Sequence, residues 1–148
     1  MDNQEIVAIN ISVLKGTQKK PVPRVEIDMN GIVGDAHAGT DKRQISLLPI
    51  ESIEAFSKRT KDGISHGDFA ENLIVSGIDF KTIRPGDRFR INSVELEVTQ
   101  IGKSCHGHGC RIYVEVGDCI MPKEGVFTVV RKSGEIKVGD SVQLIGSD

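Results

Sequence analysis

Between Gly102 and Gly125 the chain gathers all three of its cysteines and two of its four histidines: Cys105, His106, His108, Cys110 and Cys119. Gly102, Gly107 and Gly109 interleave them, and backbone without Cβ bulk can turn neighbouring side chains toward one centre. Thiolate and imidazole in this pattern suit three chemistries. They are a ligand set for tetrahedral zinc, although Cys-x4-Cys with embedded histidines lacks a second paired knuckle and ligands so close in sequence strain to face one ion. A Cys–His pair can generate a nucleophilic thiolate; His108 or the distant His37 is better placed for this than His106, because adjacent residues of an extended strand point to opposite sides. One cysteine thiolate can also be the single protein ligand of a soft metal carried by an organic cofactor. Residue types leave all three open, and an idle thiol is the plain alternative for Cys119.

A second stretch, Gly31-Ile32-Val33-Gly34-Asp35-Ala36-His37-Ala38-Gly39-Thr40-Asp41-Lys42-Arg43, combines small residues with a histidine and two cations. Such backbone can direct successive N–H groups at an anion that Lys42 or Arg43 neutralises, a candidate phosphate cradle. It is neither a P-loop nor a dinucleotide fingerprint, and a solvated hairpin explains it equally. Asn72, which both donates and accepts, suits a polar ligand or a turn cap.

These residues need a frame. A chain of 148 residues is expected to form one domain, 1–148, with a core that needs no disulfides. Net charge is −2, which gives no global field for nucleic acid or acidic membranes. There is no apolar run of membrane-spanning length, and Met1-Asp2-Asn3-Gln4-Glu5 does not resemble a signal peptide, so the expectation is a cytoplasmic protein. Three cysteines crowded into fifteen positions fit thiol or metal chemistry better than a secreted disulfide framework.

Alternation of Val7, Ile9, Ile11 and Val13 predicts a first, half-buried strand, and Arg24 to Met29 a second after a proline-containing loop at 15–23, closed by an Asn30-Gly31 turn. Pro49 to Lys58 reads as one short helix with Ile50, Ile53 and Phe56 on its inner face. Further strands are expected after Asn72, at Phe89 and Ile91, at Val94 to Val98, at Val126 to Val130 and at Val142 to Ile145, with a hairpin turn at Lys132-Ser133-Gly134. Gly-Asp dipeptides at 34, 67, 86, 117 and 139 punctuate them. The fold class this predicts is all-β, a single mostly antiparallel β-barrel with one or two short helices.

In order, Gly34-Asp35-Ala36-His37-Ala38-Gly39, Asp41-Lys42-Arg43-Gln44-Ile45-Ser46-Leu47-Leu48, Gly67-Asp68-Phe69-Ala70-Glu71-Asn72-Leu73, Pro85-Gly86-Asp87, a strand running out toward Cys105, and Gly139-Asp140-Ser141-Val142 resemble the MOSC domain, the C-terminal domain of molybdenum-cofactor sulfurases, over nearly the whole chain. The resemblance implies a β-barrel that binds the molybdenum cofactor (molybdopterin), a pterin dithiolene with a phosphate tail. Cys105 stands at the family's single essential cysteine and would be the catalytic residue and molybdenum ligand, or a sulfur carrier in sulfurase-type members. Asn72 would hold the cofactor, and His37, Lys42 and Arg43 would face its pterin and phosphate. Phe127 stands where larger members tend to have a tyrosine, so it lacks the hydroxyl contact. The partner β-barrel of amidoxime-reducing members and the desulfurase domain that would bind pyridoxal phosphate have no counterpart here. Cys110 and Cys119 lie outside the common pattern.

Two functions follow from the resemblance. One is a molybdenum-dependent reductase of N-hydroxylated compounds, because one protein sulfur beside a dithiolene leaves metal positions for oxygen transfer from an N–O group. It needs a separate electron-donor protein, since nothing in the sequence binds flavin or nicotinamide. The other is a non-catalytic carrier of the cofactor or of a persulfide, working with a delivery partner. A structural zinc module is the third class. Zinc predicts stoichiometric metal retained through dialysis and loss of fold on chelation, because structural metal binding is coupled to folding. The cofactor reading predicts neither, and metal analysis with circular dichroism before and after chelator separates them.

Overall fold

The computed structural model describes residues 4–12, 20–35, 38–39, 44–58, 72–101 and 125–146. Among these, the strands are β1 (Glu5–Ile11), β2 (Lys20–Val22), β3 (Arg24–Asp28), β4 (Gly31–Ile32), β5 (Ile45–Pro49), β6 (Leu73–Ser76), β7 (Arg88–Ile91), β8 (Val94–Ile101), β9 (Val126–Lys132), β10 (Gly134–Lys137) and β11 (Gln143–Ile145). One helix, α1 (Ile50–Ser57), follows β5, and a 3-10 turn spans Phe80–Thr82. The helix lies within a residue of its predicted bounds. The loop expected at 15–23 contains β2 instead, where Pro21 is tolerated because the strand lies at a sheet edge and its missing N–H breaks no inner ladder.

The strands form two open sheets rather than the closed barrel expected. The larger runs β11-β7-β8-β9-β5-β6-β1-β2 and the smaller β10-β3-β4. Pairing is antiparallel throughout except for β5 beside β6. The large sheet curls far enough for Glu5 to bridge Ser141 just ahead of β11, with the Ile6 N–H donating to Asp140 O at 2.9 Å and the Val142 N–H to Gln4 O at 2.9 Å. It does not close, because β2 extends the sheet past β1 and the three strands of the second sheet cover the core. Hence Lys132-Ser133-Gly134 is no hairpin: the chain bends there and β10 leaves to pair with β3. A Cβ on Gly134 would sit 2.6 Å from Ser93 Oγ, so this crossing of the two sheets needs glycine.

One apolar core lies between the sheets. Ile9, Ile27, Ile32, Ile45, Leu47, Leu73, Phe89, Ile91, Leu96 and Ile136 are all fully or nearly fully buried in it. In β1 the expected alternation is shifted: a bulge between Ile6 and Ala8 turns Ile6, Ile9 and Ile11 toward this core and releases Val7. The opposite face of the large sheet is also covered in part. Leu48 and Ile74 are buried there, and α1, with its buried Ile53, lies against β5 and β6. Glu51 accepts a hydrogen bond from the Gly77 N–H at 3.0 Å and fastens the start of the helix to the end of β6.

Farther along that face an ion-pair ladder joins β7, β8 and β9. Glu95 lies 3.0 Å from Lys132, 3.4 Å from Arg88 and 3.7 Å from Arg90, and Glu97 lies 3.2 Å from Arg131 and 3.4 Å from Arg88. The Lys132 hydrogen bond holds the Glu95 carboxyl below its ordinary value of 4.5, against the opposing effect of desolvation; Arg131 does the same for Glu97. A depressed carboxyl pKa contributes stability that is complete above the ordinary value and is lost as pH falls through the folded-state value. Unfolding midpoints followed from pH 7 downward should therefore drop below about pH 4.5. Glu95→Gln is expected to flatten that acid limb, and added salt to weaken the contribution because the cations are partly exposed.

Candidate functional site

On the face opposite the core, one row of residues crosses five strands: Asn10 (β1), Asn72 (immediately before β6), Ser46 (β5), Phe127 (β9) and Gln100 (β8). Ser46 and Phe127 are register partners, as are Phe127 and Gln100. The Asn10 N–H donates to Asn72 O at 2.7 Å and the Asn72 N–H to Ser46 O at 3.1 Å. Alternation sets the facing, since Ile9, Ile45, Leu47, Leu73 and Val126 beside them belong to the core. Asn10, Asn72, Ser46 and Phe127 are nonetheless all buried.

Asn72 is the fastener of the row. Its Oδ1 accepts from the Ser46 N–H at 3.0 Å and the Ser46 hydroxyl at 3.3 Å. Its Nδ2 donates to the Asn10 carbonyl at 3.1 Å, and its own N–H also reaches Ser46 Oγ at 3.0 Å. One side chain thus ties β1, β6 and β5 together, and of its four hydrogen-bonding positions one Nδ2–H is left over for a ligand. Asn72, expected to contact a cofactor, also has a structural role in the sheet.

Asn10, its neighbour, is the reverse case. The side chain is fully buried, and neither its Oδ1 nor its Nδ2 has a hydrogen-bond partner. Sequence reasoning missed this residue because alternation of Val7, Ile9 and Ile11 put it on a presumed solvent face. The available signal was its type: asparagine is depleted in strands, and this one sits between two isoleucines.

Described residues that flank the segments of predicted chemistry in sequence lie close to this row. Lys42 and Arg43 lie outside the described residues, but the next residue, Gln44, donates its N–H to Thr128 O at 3.0 Å, and its Oε1 accepts from the Val130 N–H at 2.9 Å. Gln44 is therefore docked on β9 at Thr128 and Val130, two residues before Ser46, the register partner of Phe127. Cys105, His106, His108, Cys110 and Cys119 lie outside the described residues; β8 is described to Ile101, which pairs with Val126 where the chain returns, and Cys105 is five residues along the sequence from Gln100. His37 also lies outside them. Asp35, two residues before it in sequence, is buried and accepts from the Ser12 N–H at 3.0 Å, just past the end of β1. Among the described residues there is no group of three or more His, Cys, Asp or Glu side chains able to hold a metal ion, and no helix is long and apolar enough to cross a membrane.

Among the described residues, two open sheets around one core, with a buried polar row on the outer face of the larger sheet, define a small, predominantly β domain with a candidate ligand site on that face. The chain belongs to the MOSC domain family, whose model matches residues 34–143, a family associated with binding of the molybdenum cofactor. Among solved structures it is similar to the YuaD protein of Bacillus subtilis (20% identity, TM-score 0.78, 98% of this chain and 97% of that one). It is also similar to YiiM of Geobacillus stearothermophilus (18%, 0.69, 96% and 75%) and YiiM of Escherichia coli (18%, 0.69, 97% and 71%). At these identities the likeness is one of fold. Comparison with curated proteins gives no match.

The donor set fits a polar heterocyclic cofactor: an orphaned buried amide and a half-buried Gln100 lie in the row, and two cations precede Gln44 in sequence. Asn72→Ala should leave the Ser46 N–H without its side-chain acceptor and the Asn10 carbonyl without its side-chain donor. We expect a loss of about 2–3 kcal/mol in unfolding free energy, measured by denaturant titration of the cofactor-free chain.

Proposed function

We propose that this chain binds the molybdenum cofactor across the Asn10–Gln100 row and, supplied with electrons by a separate protein, reduces N-hydroxylated compounds. The observation that supports it is the buried polar row in a family associated with this cofactor, flanked by Gln44, bonded to Thr128 and Val130, on one side and by the paired Ile101 and Val126 on the other. When bound, the cofactor would supply two-electron oxygen-transfer chemistry that no amino-acid side chain provides.

The chain's own residues do the rest. Cys105 would be the one protein ligand of molybdenum and would have to be deprotonated to serve as one. Lys42 and Arg43 neutralise the phosphate tail, which a net-negative protein cannot attract through its overall field. His37 would face the pterin, and Phe127 would offer an apolar ring without a hydroxyl. Asn72 acts mainly by holding the three strand ends in place, so that the row is rigid before the cofactor arrives. The overall reaction consumes a hydroxylamine, two electrons and two protons, and yields the amine and water.

The three cysteine variants decide the ligand. Molybdenum bound to protein purified from a cofactor-competent host should disappear in Cys105→Ser with the fold intact, and fall only partly in Cys110→Ser and Cys119→Ser. Retention in Cys105→Ser with loss in Cys110→Ser moves the metal to the second cysteine. Turnover of a hydroxylamine with a chemical reductant separates enzyme from carrier: a chain that never turns over and instead gains about 32 Da, one sulfur atom, on the Cys105 peptide is a persulfide carrier.

A further inference from the structure

Nearly all buried polar groups in folded proteins have partners, so a buried amide with none calls for an explanation. Asn10 is such a group. Its backbone is committed, the N–H to Asn72 O and the carbonyl to Asn72 Nδ2. Its side chain is fully buried, with Oδ1 and Nδ2 both unpartnered. An aliphatic residue would remove the unmet desolvation of two polar atoms, and a valine or isoleucine suits a strand better than asparagine. The residue is therefore unfavourable for the empty chain at the place it occupies.

That place is the end of the polar row. On one side is Asn72, whose Oδ1 and one Nδ2–H are committed to Ser46 and Asn10; on the other is Pro21 of β2, the register partner of Asn10, which is exposed. What Asn10 has left is the acceptor Oδ1 beside the donor Nδ2H2 on a single planar group. The complement of that pattern is an adjacent N–H and C=O held in one plane, the lactam edge of a heterocycle, which a carboxamide meets with two parallel hydrogen bonds.

We propose that Asn10 is a ligand-recognition residue whose carboxamide pairs with the lactam edge of the bound heterocycle, the pterin ring if the function above holds. This rests on that reading for the identity of the ring, but not for the orphaned amide. Asn10 touches ligand, not the reacting atoms, and its role is affinity and orientation. It is also a trade of stability for binding built into β1.

The trade makes the experiment two-sided. In the cofactor-free chain, Asn10→Leu should raise the thermal midpoint by about 2–6 °C. Free pterin (2-amino-4-oxopteridine), followed by its fluorescence, should bind the wild-type chain at least tenfold tighter than 3-methylpterin, in which the lactam N–H is blocked. Asn10→Leu should abolish that preference. If leucine overfills the site and the variant does not fold, Asn10→Ala carries the same binding test, and the wild-type preference needs no variant at all. A lowered midpoint in a folded variant, or pterin binding unchanged by it, overturns the proposal and leaves Asn10 a structural or water-binding residue. Molybdenum retained equally by wild type and variant, with no pterin preference, overturns this inference and leaves the proposed function standing. A wild-type chain that holds no molybdenum yet discriminates the two pterins through Asn10 overturns the function and leaves the inference standing.

Discussion

A single carboxamide holds together the part of the sheet on which the candidate site depends. β5 and β6 are the one parallel pair among the described strands, and β6 begins only at Leu73, so little ladder is available to fix its start. Asn72 supplies what the ladder lacks, with Oδ1 on Ser46 and Nδ2 on Asn10. Because these bonds are buried, each is protected from competition by water and would leave an unsatisfied partner if broken. The level at which strands β1, β6 and β5 meet is thereby set by hydrogen bonding rather than by apolar packing alone.

The outer face of the large sheet divides into zones with different physical tasks. Over β5 and β6 it is apolar and lies beneath α1. Over β7, β8 and β9 it is a ladder of alternating charge in which two glutamates are shared among four cations. Those cations are paired and partly exposed, which makes them poor candidates for an anion site. Between the two zones lies the polar row, where among the described residues Asn10 is fully buried with unspent hydrogen-bonding capacity.

Several residues that carry the family resemblance turn out to serve the frame. Asp87 of Pro85-Gly86-Asp87 caps its own turn by accepting from the Arg84 N–H at 2.9 Å, and the Gly86 N–H docks that turn on Val98 O at 2.8 Å. Asp140 accepts from the Lys137 N–H and from Asn92 Nδ2, both at 2.8 Å, and so joins the turn before β11 to the β7–β8 hairpin. Gly139 adopts a left-handed φ of 94° in that turn, which a side chain would resist. Motifs of this kind identify a family because the fold requires them, which is a separate matter from the chemistry the family performs.

Local rules in the sequence determined β1, β3, β6, β7, β8, β9, β11 and the helix, because period-two alternation, a proline ahead of an apolar helical face and Gly-Asp pairs act within a few residues of themselves, but they missed β2, β4, β5 and β10. Sequence also named Asn72 and Phe127, which lie in one row, and the family to which the chain belongs. It did not determine closure: whether Glu5 meets Ser141 as a lone bridge or as a full ladder depends on β2 and on the second sheet, hundreds of atoms away along the chain. Nor could it determine burial on the outer face. The bulge between Ile6 and Ala8 shifts the phase of β1, and only the neighbouring strands decide that the polar side of Ile9-Asn10-Ile11 is covered. Asn10 therefore reads in sequence as a solvent-facing residue and stands in the structure as a buried amide without a partner, because hydrogen-bond satisfaction is a property of the assembled sheet and of no single strand.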